Sequence, residues 1–154
     1  MPRPKKKRSV HMPPIYNAFK PVGFRRDEIQ ELAIELDEFE AIRLADYLGM
    51  DHNEAAEEME ISRSTFTRLI EQARKKVAQM MIEGRYLYIE GGDIHFRENV
   101  IKCADCGNMF KTSLNQRIEK CPSCNSPNIF DLAGGHGHGR CCMNRKRNRS
   151  NFNE

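Results

Sequence analysis

The sequence predicts a mainly α fold: a helix-turn-helix domain with a short β-hairpin, followed by a small β zinc ribbon and a disordered tail. Three observations carry that prediction. Apolar residues recur at three- and four-residue spacing between Ile29 and Met80, four cysteines form two close pairs, and from Gly134 onward apolar residues almost vanish. The chain has 154 residues, 39% hydrophobic and 31% charged, without Trp, enough for one domain or two small ones. Its apolar runs are too short for a transmembrane helix. Met1-Pro2-Arg3-Pro4-Lys5-Lys6-Lys7-Arg8 has no apolar stretch behind it and does not read as a secretory signal. A soluble, cytoplasmic protein with no membrane partner is expected.

Residues 1–26 hold five of the seven prolines, and Pro removes backbone donors and restricts its neighbours. They read as a basic extended arm. Residues 27–97 read as the helical domain. Ile29, Leu32, Ala33 and Leu36 predict a first short helix. Asp37 caps a second, with Glu40 as its capping-box partner and Gly49 as its stop. Asn53 to Met59 forms a third. Ser62 caps a fourth and longer helix, whose buried stripe is Phe66, Leu69, Ile70, Ala73, Val77 and Met80 and which ends near Gly84. Tyr86-Leu87-Tyr88-Ile89 and Ile94-His95-Phe96 flank Glu90-Gly91-Gly92-Asp93 and predict a β-hairpin. The ribbon is expected over 98–132 and a flexible Gly/His/Cys/Arg tail over 133–154.

The formal net charge of +3 conceals an uneven layout. Residues 1–26 carry eight basic residues and no acid, residues 27–62 thirteen acids against Arg43 alone, and residues 63–85 six basic residues against Glu71 and Glu83. Blocks of this kind are ordinarily solvated faces, but basic segments beside an acidic scaffold also suit a polyanion.

Leu36 to Val77 has the spacing of a helix-turn-helix: a short helix with Ala55 and Ala56, a turn at Glu60-Ile61, then Ser62 opening the next helix. A plain helical bundle with a polar face is the rival. In the first reading the second helix enters the major groove, where Arg63, Ser64, Thr67 and Arg68 reach base edges. Arg3, Lys5, Lys6, Lys7 and Arg8 of the arm contact phosphates or the minor groove. Double-stranded DNA is the expected partner.

The run Leu36-Asp37-Glu38-Phe39-Glu40-Ala41-Ile42-Arg43-Leu44-Ala45-Asp46, then Glu54-Ala55-Ala56-Glu57-Glu58-Met59, then Ser62-Arg63-Ser64-Thr65-Phe66, resembles the UPF0251 (DUF134) family of predicted DNA-binding proteins. Pro2-Arg3-Pro4-Lys5, Phe19-Lys20-Pro21-Val22-Gly23 and Ile89-Glu90-Gly91-Gly92 also look like that family, and the likeness covers about residues 1–95. The family's helix-turn-helix is similar to region 4 of RNA polymerase sigma factors. The resemblance thus implies DNA binding and transcriptional regulation, without naming a target.

Six cysteines in a cytosolic-type chain favour metal over disulfides. Cys103, Cys106, Cys121 and Cys124 follow C-x2-C-x14-C-x2-C, so each pair can wrap one side of a tetrahedral ion. One Zn2+ per chain is expected there, with rubredoxin-like iron as the rival. Four thiolates leave no place for water, so the site is structural, for contact with nucleic acid or with a protein such as RNA polymerase.

His136, His138, Cys141 and Cys142 gather soft and borderline ligands in the glycine-rich tail. They read as incidental to a flexible coil, or as a weak metal site. A metal-binding accessory or sensor protein acting through this tail is therefore the alternative function. No nucleophile–base set, phosphate loop or open metal site is present, and no enzymatic activity is expected.

Overall fold

The computed structural model describes residues 7–138 and 141–142. The chain divides into two compact units, one of Met1–Val10 and Tyr16–Ile94, the other of His11–Ile15 and His95–Glu154. No helix among the described residues is long and apolar enough to cross a membrane.

The first unit contains β1 (Arg8–Val10), β2 (Ala18–Phe19), β3 (Glu31–Ile34), the helices α1 (Leu36–Ile42), α2 (His52–Met59) and α3 (Arg63–Glu83), and β4 (Tyr86–Ile89). A π-type turn over Arg43–Tyr47 extends α1. The four predicted helices become three, because the segment expected to form the first is a strand. Glu31 to Ile34 runs parallel to β4, in register from Glu31 opposite Tyr86 to Ile34 opposite Ile89. Over four residues the helical and strand periods are hard to tell apart, so a remote pairing partner decides. The second helix begins at Leu36 rather than Asp37, and the Glu38 carboxylate accepts the Glu35 N–H at 2.9 Å. The predicted hairpin also fails. β4 lies between antiparallel β2 and parallel β3, and Gly91, at φ +80°, accepts the Leu36 N–H instead of closing a turn back onto β4.

α2 and α3 follow the sequence closely. The Asp51 side chain accepts from the Glu54 N–H, the Ser62 hydroxyl accepts from the Thr65 N–H, and Gly84 at φ +64° ends α3. Between the helices Glu60 is left-handed and Ile61 packs against the core. That core joins Leu44 and Ala41 to Ala55, Ala56, Met59, Phe66, Leu69 and Ile70, the two alanines allowing close approach. Replacing Ser62 with Ala leaves the Thr65 N–H without its cap. It should cost about 1 kcal/mol of stability by urea unfolding.

The acidic block is partly an interior feature. Asp37, Glu38 and Glu40 are buried, and each holds a cation: Arg8 on Asp37, Lys76 on Glu38 at 2.8 Å, Arg43 on Glu40 at 2.7 Å. An unpaired buried carboxylate would be strongly unfavourable. Residues 1–26 are therefore not a free arm where they are described. β1 places Arg8 on Asp37, and β2 forms one edge of the sheet.

β5 (Ile94–Phe96), which enters the second unit at His95, leads into β6 (Glu98–Cys103), which lies antiparallel between β7 (Met109–Ser113) and β8 (Ile129–Asp131). A short helix, α4 (Leu132–Gly135), follows, capped by Asp131. The longer stretch of this unit starts at His95 rather than residue 98, and His11–Ile15 belongs to it as well. The expected disorder from residue 133 is replaced by defined structure through His138 and at Cys141 and Cys142. With eight strands among the described residues, the fold mixes helix and sheet instead of being mainly α.

Candidate functional site

The two cysteine pairs sit on matching turns. Cys103 closes β6, its N–H donates to the Asn108 carbonyl at 2.9 Å, and its carbonyl accepts the Gly107 N–H at 3.1 Å. Cys121 repeats the pattern, with its N–H on the Ser126 carbonyl at 2.9 Å and its carbonyl accepting the Asn125 N–H at 2.8 Å. The residue after each second cysteine is left-handed, Gly107 at φ +73° and Asn125 at φ +60°. Gly is the usual choice there and Asn the next best. Asn125 was the sequence signal that reading missed. Around the second turn, Ser126 Oγ and Asn128 Nδ2 donate to Asp105, and Asn108 Nδ2 donates to Ser123 Oγ at 2.9 Å.

These turns bring the four Sγ atoms within 4.8 Å of one another, with Cys103–Cys124 and Cys106–Cys121 each at 3.6 Å. Two thiolates on a tetrahedral ion at zinc–sulfur bond length stand about 3.8 Å apart. All six cysteines are free thiols, so the cluster is open to a metal ion and fits one. Cys103 and Cys121 are buried, Cys106 and Cys124 exposed. Burial opposes ionisation of Cys121, but the N–H groups of Cys124 and Ser123 and the neighbouring thiols outweigh it and bring that thiol down to about 6. Cys124 accepts from the Ser126 N–H, yet partial desolvation and hydrogen bonding with the neighbouring thiols of Cys103, Cys106 and Cys121 hold it up at about 12.

On α3, Arg63, Ser64 and Arg68 are exposed and Thr67 is half-buried, while Phe66, Leu69, Ile70 and Ala73 are buried. Arg63 and Arg68 make no ion pair among the described residues. The Thr67 hydroxyl, in contrast, is hydrogen-bonded to His52 Nδ1 at 2.8 Å, and that imidazole packs edge-on against Phe66. Thr67 therefore ties α2 to α3 rather than pointing a free hydroxyl outward. Further along, Arg74 pairs with Asp46 at 2.7 Å, which holds that carboxyl below the usual carboxylate range, and Lys76 pairs with Glu38. Arg3, Lys5 and Lys6 lie outside the described residues. Lys7 is exposed, and Arg8, expected to reach nucleic acid, is committed to Asp37.

A second cluster lies in the C-terminal segment, with a membership the sequence did not predict. His138, Cys141 and Cys142 converge with His95 of β5, the four ligand atoms within 4.8 Å of one another. His136 stays outside it, its ring 6.2 Å from that of Phe96. His95, placed by the sequence only in a hairpin strand, lies more than forty residues before His138, so no local spacing marked it as a ligand.

Known proteins place the chain by sequence. The model for a protein of unknown function, DUF134, matches residues 1–97. A UPF0251 protein of Chloroherpeton thalassium is 46% identical over 153 residues, covering 97% of this chain and all of the relative. Another from Clostridium novyi is 41% identical over 84% of this chain and 88% of its own length, and one from Chlorobaculum tepidum is 43% identical over 90% and 72%. No solved structure matches. By the extent of both kinds of match, the chain belongs to the UPF0251 (DUF134) family.

Proposed function

We propose that the first unit binds double-stranded DNA through α2, its turn and α3, acting as a helix-turn-helix. In this reading the chain is a transcriptional regulator whose four-cysteine ribbon holds one Zn2+. The observation that carries the reading is the start of α3: Arg63, Ser64 and Arg68 exposed together at a helix N-terminus, on two helices locked by the Ala55–Ala56–Phe66 core and the His52–Thr67 bond. A helix entering the major groove reads bases with its first turns, and Arg is the best-matched side chain for guanine. Glu54, Glu57 and Glu58 are exposed on α2, so the duplex approaches along α3 and not broadside over α2. Thr67 is a positioning residue here, and Arg74 and Lys76 neutralise acids of the domain itself.

Zinc is favoured for the ribbon by four thiolates on two closed turns with no open coordination position. The ion would supply cross-linking there, and the chain's own hydrogen bonds around Asp105 and Ser126 hold the second turn in shape.

The test is selection of bound duplexes from a random pool, followed by salt titrations on the enriched duplex and on a random one. Arg63→Ala and Arg68→Ala should each cost about 1–3 kcal/mol on the enriched duplex and relax preference at a defined base pair, with little change on the random duplex. Failure to enrich any sequence, or equal losses on both duplexes, would remove these residues from base reading.

A further inference from the structure

We propose that His95, His138, Cys141 and Cys142 form a second metal centre, separate from the four-cysteine cluster, which takes one tetrahedral divalent ion of the zinc class. Its geometry is the first argument. His138 Nδ1 lies 3.3 Å from Cys141 Sγ and 3.9 Å from Cys142 Sγ, His95 Nδ1 lies 3.5 Å from Cys142 Sγ, and the two sulfurs are 3.7 Å apart. Around a tetrahedral zinc-type ion the sulfur–nitrogen edge is about 3.5 Å and the sulfur–sulfur edge about 3.8 Å. The four donors thus stand near the corners of the polyhedron that such an ion requires. Two imidazoles and two thiolates are a borderline-to-soft set, which suits zinc and its tetrahedral relatives and not calcium or magnesium.

The surroundings are those of a built site. Cys142 is buried, with 1% relative exposure, and the Phe96 N–H points at its sulfur at 3.3 Å. Outer-shell N–H donors of this kind stabilise a ligating thiolate. The buried Phe96 ring stands edge-on to His138 at 5.3 Å and forms an apolar wall. The chain entering the site is anchored as well. Buried Asn99 accepts the Ala133 N–H at 3.0 Å and donates to Asp131, and the His138 N–H donates to the Ala133 carbonyl at 2.9 Å. The glycine-rich approach to His138 is therefore ordered before any ion arrives, which lowers the entropy cost of binding. Cys141 is exposed, so one side of the centre is open to solvent. Exposure does not separate the two centres, since Cys106 and Cys124 are exposed in the other; the ligand set does, because two thiolates hold an ion less tightly than four, which makes this centre the more exchangeable.

The proposal is independent of DNA binding, and its test reads metal directly. The full chain, kept reduced, is loaded with excess Zn2+, desalted and analysed for zinc. Two equivalents are expected, one leaving readily to a colorimetric zinc chelator and one slowly. His95→Ala and the exposed-site variant Cys141→Ser should each retain one equivalent and lose the fast phase, whereas His136→Ala should keep both. Loading with Co2+ instead should give sulfur-to-cobalt charge-transfer absorption that falls by about one-third in His95→Ala, where two of six ligating thiolates lose their ion. One equivalent in the parent chain would overturn the proposal. So would loss of the second ion in His136→Ala with retention in His95→Ala, since that would place the site on the tail alone.

Discussion

Replacing Cys121 with Ser is expected to unfold the β6–β7–β8 sheet while the helices of the first unit persist. Cys121 and Cys103 are fully buried, and the other buried hydrophobic side chains of this unit among the described residues are few: Phe96, Val100, Ile101, Leu114, Ala133 and Cys142. Such a set is too small to offset the conformational entropy of ordering the strands. A structural zinc site of this type contributes an apparent binding energy of about 10–16 kcal/mol, and most of it becomes folding energy. The core of Ala41, Leu44, Met59, Phe66 and Ile70 belongs to the other compact unit. Circular dichroism should therefore keep its helical signal in Cys121→Ser while limited proteolysis opens the region from residue 98 to 132. Loss of all helix in one cooperative step would contradict this. Acid should act in the same direction. Cys124 holds its proton up to about 12, so binding must displace that proton, and zinc affinity should fall as pH is lowered.

Arg8→Met should destabilise the first unit by about 3 kcal/mol, because it strands the Asp37 carboxylate in the interior. The Asp37 side chain is 4% exposed and Arg8 27% exposed, which puts the loss at the lower end of the range for a broken buried pair. The double variant Arg8→Met, Asp37→Leu should recover most of the loss, since apolar replacement of a buried pair is often neutral. Urea unfolding of the two variants measures both effects. No recovery in the double variant would show that Asp37 acts through its other bond, to the Glu38 N–H at 2.9 Å. One consequence bears on DNA binding. Removing residues 1–8 would weaken the fold along with any phosphate contact, so the arm is better tested by neutralising Lys5, Lys6 and Lys7.

What the sequence determined by itself rests on short-range bonds. Ser62 and Asp51 start their helices because a side-chain oxygen accepts an N–H three residues on. Gly84 ends α3 because the left-handed conformation costs it least. The C-x2-C pairs announce their cluster because each turn is closed by bonds spanning four and five residues. Tertiary structure alone decided the rest. Residues 31–34 are a strand because β4, more than fifty residues later, offers its hydrogen-bonding edge, and no local period records that. Arg8 is structural because a buried carboxylate must find a cation somewhere, and sequence does not say which. His95 joins Cys141 and Cys142 for a like reason. A ligand set is defined by convergence in space, and a strand at residues 94–96 can meet a tail beyond residue 138 only once the fold between them exists.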